Sequence, residues 1–158
     1  MRIISCDPGA SGALSWFEDG VLINSFNMPK INKRLKNGNK DNRKPEIDTV
    51  ALAEIFTRVE PEVVIIEKVH SMPRQGVSST FKFGYSFGLL VGMANMITEN
   101  VVMVSPQEWK KTFDLIGTEK SEATQLAKIY NKSIKNSGQA DSYLIGLWYI
   151  QTQGKEDE

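Results

Sequence analysis

Three carboxylates, Asp7, Glu67 and Asp141, stand at positions from which a chain can bind a divalent metal ion. Arg2 to Asp7 is rich in β-branched residues and stops at Asp7-Pro8-Gly9, so it reads as a strand that delivers a carboxylate to its own mouth. Val63-Val64-Ile65-Ile66 is an unbroken apolar run, as a strand buried on both faces requires, and it also ends on a carboxylate, Glu67. Near the other terminus, Leu144, Ile145 and Trp148 follow Asp141 at i+3, i+4 and i+7, so a helix here puts Asp141 on the stripe that faces the core. An unpaired carboxylate on such a stripe is costly, and a divalent cation is one way to satisfy it. Taken singly, Asp7 also reads as a turn cap, Glu67 as an exposed strand end and Asp141 as a helix N-cap. Together they point to one metal-binding cleft.

The elements that must position these residues can be read in order. Ala13 to Phe17 returns from the first strand through a turn with Pro8, Gly9, Ser11 and Gly12. Val21 to Phe26 makes a third strand after the hairpin turn Glu18-Asp19-Gly20, which gives three antiparallel strands. Residues 28–46 carry Asn, Lys, Gly and Pro and read as a long exposed loop anchored only by Ile31 and Leu35. A helix from Asp48 to Val59, apolar at Leu52, Ile55, Phe56 and Val59, precedes the Glu67 strand. Ser78 to Thr98 reads as one long helix, with Phe81, Tyr85, Leu89 and Met93 at helical spacing and Gly84, Gly88 and Gly92 in a second row. Interior glycines cost about 1 kcal/mol each relative to alanine, so a row of them implies a closely approached surface. A strand from Val101 to Val104 leads to a helix with Ser105 as N-cap and Pro106 at its first position. Lys120 to Tyr130 is amphipathic through Ala123, Leu126, Ala127 and Tyr130, and a last helix runs from Gln139 to about Gln151.

A length of 158 residues with 41% hydrophobic content fits one domain, placed at 1–153 with an acidic tail at 154–158. The formal net charge is zero, so there is no global basic field, yet Lys30, Lys33, Arg34, Lys36, Lys40, Arg43 and Lys44 crowd one segment against Asp41 alone. A single cysteine, Cys6, excludes an internal disulfide, and the N-terminus lacks a signal-type apolar region; a reduced, cytoplasmic protein is expected. The apolar stretch around Leu89 to Ile97 is too short to span a bilayer, so no membrane partner is expected.

The order of strands, helices and carboxylates resembles the ribonuclease H-like nuclease fold. That resemblance implies an α/β protein with a mixed five-stranded sheet, three antiparallel N-terminal strands and flanking helices. More narrowly, Ile4-Ser5-Cys6-Asp7-Pro8-Gly9, Val64-Ile65-Ile66-Glu67, Val104-Ser105-Pro106 with Lys110, Glu119-Lys120-Ser121 and Ala140-Asp141-Ser142-Tyr143-Leu144-Ile145 resemble the successive motifs of the RuvC family of Holliday junction resolvases. The loop Met72-Pro73-Arg74-Gln75-Gly76 is similar to that of bacteriophage members, those of lactococcal phages among them. What the resemblance implies is a homodimeric crossover junction endodeoxyribonuclease that cleaves four-way and other branched DNA with Mg2+, Mn2+ substituting. It implies metal binding by Asp7, Glu67 and Asp141, and catalytic lysines Lys110 and Lys120 near the scissile phosphate, with Lys111 an adjacent competitor for DNA. His70 stands where the family places a base-stacking aromatic. Arg74 and the basic segment from Lys30 to Lys44 would meet phosphates, which position a junction without reading its sequence.

One departure stands out. The family has a further Asp or His one helical turn before the final Asp, and here those positions are Ser137 and Gly138. Asn136 or Gln139, through an amide oxygen, or water are the remaining candidates for that place. A junction-binding protein with weak cleavage is therefore an alternative. Another comes from Asp7-Pro8-Gly9 with Gly12, which also resembles the phosphate hairpin of the sugar kinase, actin and heat-shock ATPase superfamily, although those enzymes need two domains. The glycine row admits two readings as well: a dimer contact flanked by Phe83, Phe87 and Val91, or close packing of the helix on its own sheet. Trp16, Trp109 and Trp148 are read as core residues.

Overall fold

The computed structural model describes residues 1–31, 45–68 and 76–153. Strands β1 (Arg2–Asp7), β2 (Ala13–Glu18) and β3 (Val21–Asn27) form an antiparallel meander. A short ribbon of β4 (Lys30–Ile31) and β5 (Glu46–Ile47) leads to α1 (Thr49–Val59) and β6 (Val63–Glu67). Then come α2 (Val77–Ile97), β7 (Val101–Val104), α3 (Pro106–Thr112), α4 (Lys120–Tyr130) and α5 (Ser137–Gln153). The main sheet has five strands in the order β3-β2-β1-β6-β7, with β6 parallel to both β1 and β7, as the ribonuclease H-like expectation required.

Alternation along the central strands divides the core. Ile3, Phe17, Val63 and Ile65 point to one face, where α3, α4 and α5 bring Trp109, Ala127, Leu144 and Ile145. Ile4, Cys6, Leu14, Val64 and Ile66 point to the other, against Leu52 and Phe56 of α1 and Leu90 and Ala94 of α2. Helix α5 is attached to the sheet by polar groups as well as packing. Ser5 Oγ donates to the Ser142 carbonyl at 2.6 Å, and the hydroxyls of Ser15 and Ser142 stand 2.8 Å apart. Gly146 presents bare backbone to the Phe17 ring and Ser5, so the helix lies close over β1 and β2.

Local signals account for the boundaries. Asp48 caps α1 by accepting from Ala51 N, and Ser105 and Glu108 form a reciprocal capping box on α3 with Pro106 in the first turn. Helix α5 begins earlier than its apolar period indicates, because Asn136 Oδ1 accepts from Gln139 N in the manner of an N-cap and draws Ser137 and Gly138 into the first turn.

Several expectations are corrected. Residues at the ends of the 28–46 segment are structured: Met28 is buried, its N–H donates to the Gly12 carbonyl, and β4 pairs with β5. Ile31 is exposed and anchors nothing among the described residues. Tyr130 is also exposed, since α4 needs only the small Ala123 and Ala127 to approach α5. On α2 the buried stripe is Ser86, Leu90 and Ala94, with Phe87 and Val91 packed beside it, while Phe81 and Tyr85 are exposed. A Cβ at Gly84, Gly88 or Gly92 would meet nothing within 4 Å, so the glycine row faces outward and does not seat the helix on its own sheet. The residues that flank it are accordingly Phe81 and Tyr85.

Candidate active site

Parallel pairing of β1 with β6 places Cys6 opposite Ile66, so the next residues, Asp7 and Glu67, leave the sheet side by side at its carboxyl edge. The serine bonds that tie α5 to β1 and β2 set Asp141, next to Ser142, at the same edge. All three carboxylates line one cleft of about 520 Å³ together with Lys110 and Lys120. Asp141 lies within α5, past its first turn, and so is not its N-cap.

Electrostatics shows that the carboxylates feel one another. Burial, followed by the charges of Asp141 and Glu67, holds Asp7 well above the usual carboxylate range, with Lys120 and Lys110 pulling the other way. Burial and then Glu67 push Asp141 up to about 6, again opposed by Lys110 and Lys120. A proton held by Asp7 removes its charge from Asp141, so the cluster titrates as a unit. Hard oxygen donors crowded in this way suit Mg2+ or Mn2+. Among the described residues no three His, Cys, Asp or Glu side chains close into a ready-made cage, so the expectation that the three carboxylates stand close enough to share a cation is not met in this arrangement. Magnesium tolerates that, because it keeps several waters and is held through one or two carboxylates plus substrate phosphate. The donor set therefore fits a divalent cation that is completed by substrate.

Glu67 has a specific partner in the core. Trp109 Nε1–H donates to Glu67 Oε2 at 2.6 Å. Trp109 itself is fully buried, as read from sequence, whereas Trp16 and Trp148 are half-buried. The amides proposed for the missing acidic position are occupied in structure: Asn136 Oδ1 accepts from Gln139 N, and Gln139 Oε1 accepts from Lys135 N. Their NH2 groups both donate to Asn27 Oδ1, which fastens the start of α5 to the end of β3. Ser137 does line the cleft.

Other expected residues separate from the centre. Lys111, adjacent to Lys110 on α3, is exposed and is not part of the cleft lining. Lys30 is exposed on β4. His70, Arg74, Lys33, Arg34, Lys36, Lys40, Arg43 and Lys44, with the 154–158 tail, lie outside the described residues. Sequence reading missed Ser79, Lys82, Phe83 and Ser86, which line the cleft from α2. Their spacing of i, i+3, i+4 and i+7 on an otherwise apolar helix was a usable signal. Phe83 reaches back over Gly9, whose φ of +103° turns the chain out of β1, so its role lies in the cleft and not beside the glycine row.

A mixed sheet of this strand order, with carboxylates leaving adjacent parallel strands and a helix crossing to supply another, defines a ribonuclease H-like architecture. Solved structures agree. The chain is similar to Thermus thermophilus RuvC, at 19% identity and a TM-score of 0.58, over 97% of this chain and 97% of that one. It is also similar to T. thermophilus RuvC in complex with Holliday junction substrate, at 19% identity and a TM-score of 0.65, over 99% of this chain and 96% of that one. The protein thus has the ribonuclease H-like fold of RuvC. No protein-family model and no curated protein sequence matches the chain.

Proposed function

We propose that this protein is a divalent-metal-dependent endonuclease, carried by a single domain over 1–153 and acting in the cytoplasm as a homodimer. It binds and cleaves four-way and other branched DNA junctions by phosphodiester hydrolysis, as a crossover junction endodeoxyribonuclease. One observation carries the reading: Asp7, Glu67 and Asp141, from three separate elements, line a single cleft that also holds Lys110 and Lys120. The junction substrate of the similarly folded RuvC supports it.

Asp7, Glu67 and Asp141 would hold Mg2+, with Mn2+ able to substitute. When bound, the metal supplies an activated water and stabilisation of the leaving oxygen. The chain's own residues do the rest. Asp7, held protonated by burial and its acidic neighbours, would ionise to take up the cation, and the charge of Asp7 and Asp141 would set where cations and phosphate can sit. Lys110 and Lys120, on the opposite side of the charge balance, attract the scissile phosphate and stabilise negative charge that develops on it. Lys82 adds a further cation to the wall formed by α2. Lys30 and Lys111 would contact phosphates outside the cleft, Arg74 and the remaining basic residues of 28–46 would add phosphate contacts, and His70 would stack on an unpaired base at the crossover.

That no closed carboxylate cage forms among the described residues favours a second reading, a junction-binding protein with weak or relaxed cleavage. Incubating an end-labelled four-way junction with the protein and Mg2+ or Mn2+ separates the two. Paired, symmetry-related nicks that vanish with chelator support the resolvase, and a retarded but intact junction supports the binder. Failure to bind branched DNA in preference to linear duplex would defeat both.

A further inference from the structure

Trp109 has no solvent exposure and belongs to the core beneath α5, yet its one polar atom serves the cleft. Its Nε1–H donates to Glu67 Oε2 at 2.6 Å, and Lys110 Nζ lies over the indole 5.4 Å from the ring centre. An indole N–H can only donate, and this bond is at the short end for a nitrogen donor, as charge-assisted bonds are. Both partners are held firmly. Glu67 ends β6 opposite Val104 of β7, and β7 runs directly into the capping box that fixes α3, so acceptor and donor hang from adjacent strands. A packed indole loses no further freedom on bonding, whereas an unrestrained glutamate has several rotamers to choose from.

We infer that Trp109 is a positioning residue of the cleft: its N–H fixes the direction of the Glu67 carboxylate, and its ring face holds the Lys110 ammonium. The inference rests on the reading of this cleft as a nuclease centre and adds to it a residue that touches neither metal nor DNA. One rigid side chain then contacts both a carboxylate on β6 and a cation on α3. A purely apolar residue at 109 would fill the core equally well and set neither.

The test uses Trp109→Phe, Glu67→Gln and the double variant, with Mg2+ or Mn2+ binding to the protein alone measured by calorimetry and single-turnover junction cleavage measured in parallel. Loss of the N–H should raise the half-saturating metal concentration about tenfold with the fold retained, the scale seen when a ligand's supporting hydrogen bond is removed. In the Glu67→Gln background, where an uncharged amide oxygen replaces the carboxylate as acceptor, the same change should add much less loss. If Trp109→Phe lowers Tm equally in both backgrounds and leaves the metal midpoint unmoved, the residue is packing only and the inference is overturned. Should Trp109→Phe fail to fold, the indole Nε1–H resonance of the wild type and of Glu67→Gln decides. It should be displaced downfield and slow to exchange in the wild type and shift upfield in Glu67→Gln; a resonance indifferent to Glu67 overturns the inference. Neither readout needs DNA cleavage, so a wild type that cuts no junction refutes the nuclease reading while the Trp109 link is still decided.

Discussion

Gly138 lies directly against the turn between β1 and β2, so that a Cβ placed on it would stand 2.6 Å from the Ser11 carbonyl oxygen and 3.0 Å from the Gly12 carbonyl carbon. Those are backbone atoms, and the Gly12 carbonyl beside them accepts from Met28 N. The absence of an acidic residue at 138, one of the two positions a turn before Asp141, therefore has a steric cause, whereas Ser137 at the other lines the cleft. Backbone occupies the space that a side chain at 138 would need.

Gly138→Asp should then fail to install a further metal ligand and should destabilise the fold, by about 1–3 kcal/mol in the manner of an overpacked core. Chemical denaturation checks the stability, and calorimetry with Mn2+ checks the site. A variant as stable as the wild type with tighter metal binding would show that the turn yields and that the steric account is wrong.

Asp7→Asn, Glu67→Gln and Asp141→Asn should each lower junction cleavage by at least about a hundredfold, given that these groups act through metal and developing charge. Each removes negative charge that faces DNA, so junction affinity should be kept or increased. The two effects are separated by mobility shift in Ca2+ and cleavage in Mg2+. Parallel loss of binding and cleavage would mark the residue as structural.

The raised Asp7 and Asp141 predict an inverted pH dependence of the metal-free protein. Between their ordinary and their folded values the native state binds more protons than the unfolded chain, so stability falls as pH rises. The Asp141 contribution is present below about pH 4 and is lost as pH passes about 6, while Asp7 extends the loss higher. A displacement of this size is worth on the order of 3 kcal/mol, or about 6–12 °C in Tm for a chain of this length. Mg2+ competes for the ionised form, so its stabilising effect should be small at pH 5 and large at pH 8. Thermal scans in chelator and in Mg2+ test this against the Asp7→Asn/Asp141→Asn double variant, which should be flatter in both; equal slopes would remove the carboxylates as the cause.

How far the sequence reaches is itself physical. Asp7, Glu67 and Asp141 were legible because each ends or enters an element whose period is strong, and parallel pairing of β1 with β6 then leaves little choice about where the first two emerge. Lys110 and Lys120 were found through resemblance, since a helix lysine carries no local signal of its own. Trp109 was read correctly as core, but its bond to Glu67 spans two strands and a helix, and no spacing rule encodes that. The direction of the α2 glycine row was harder to read, because the helix is apolar on most of its circumference and only the polar Ser79, Lys82 and Ser86 mark the cleft side.

That direction bears on symmetry. A four-way junction has approximate two-fold symmetry and must be cut in two strands of like polarity, so two sites related by an isologous contact are the simplest solution. Helix α2 offers the surface: Val77, Phe81 and Tyr85 are 88%, 75% and 57% exposed, and they share an outward side with Gly84, Gly88 and Gly92, over which a second helix can approach closely. Phe83 and Ser86 on the opposite side of the same helix line the cleft, so the contact would also set the distance between two active sites. Gly88→Glu is a clean probe, because the position has open space, and replacing an interior helix glycine adds up to about 1 kcal/mol of helix stability to the isolated fold. The wild type should be a dimer by light scattering at micromolar concentration, and Gly88→Glu a folded monomer that binds Mn2+ yet nicks junctions without pairing the cuts. A wild type that stays monomeric while resolving junctions symmetrically would show that the second site is recruited by the DNA and not by this helix.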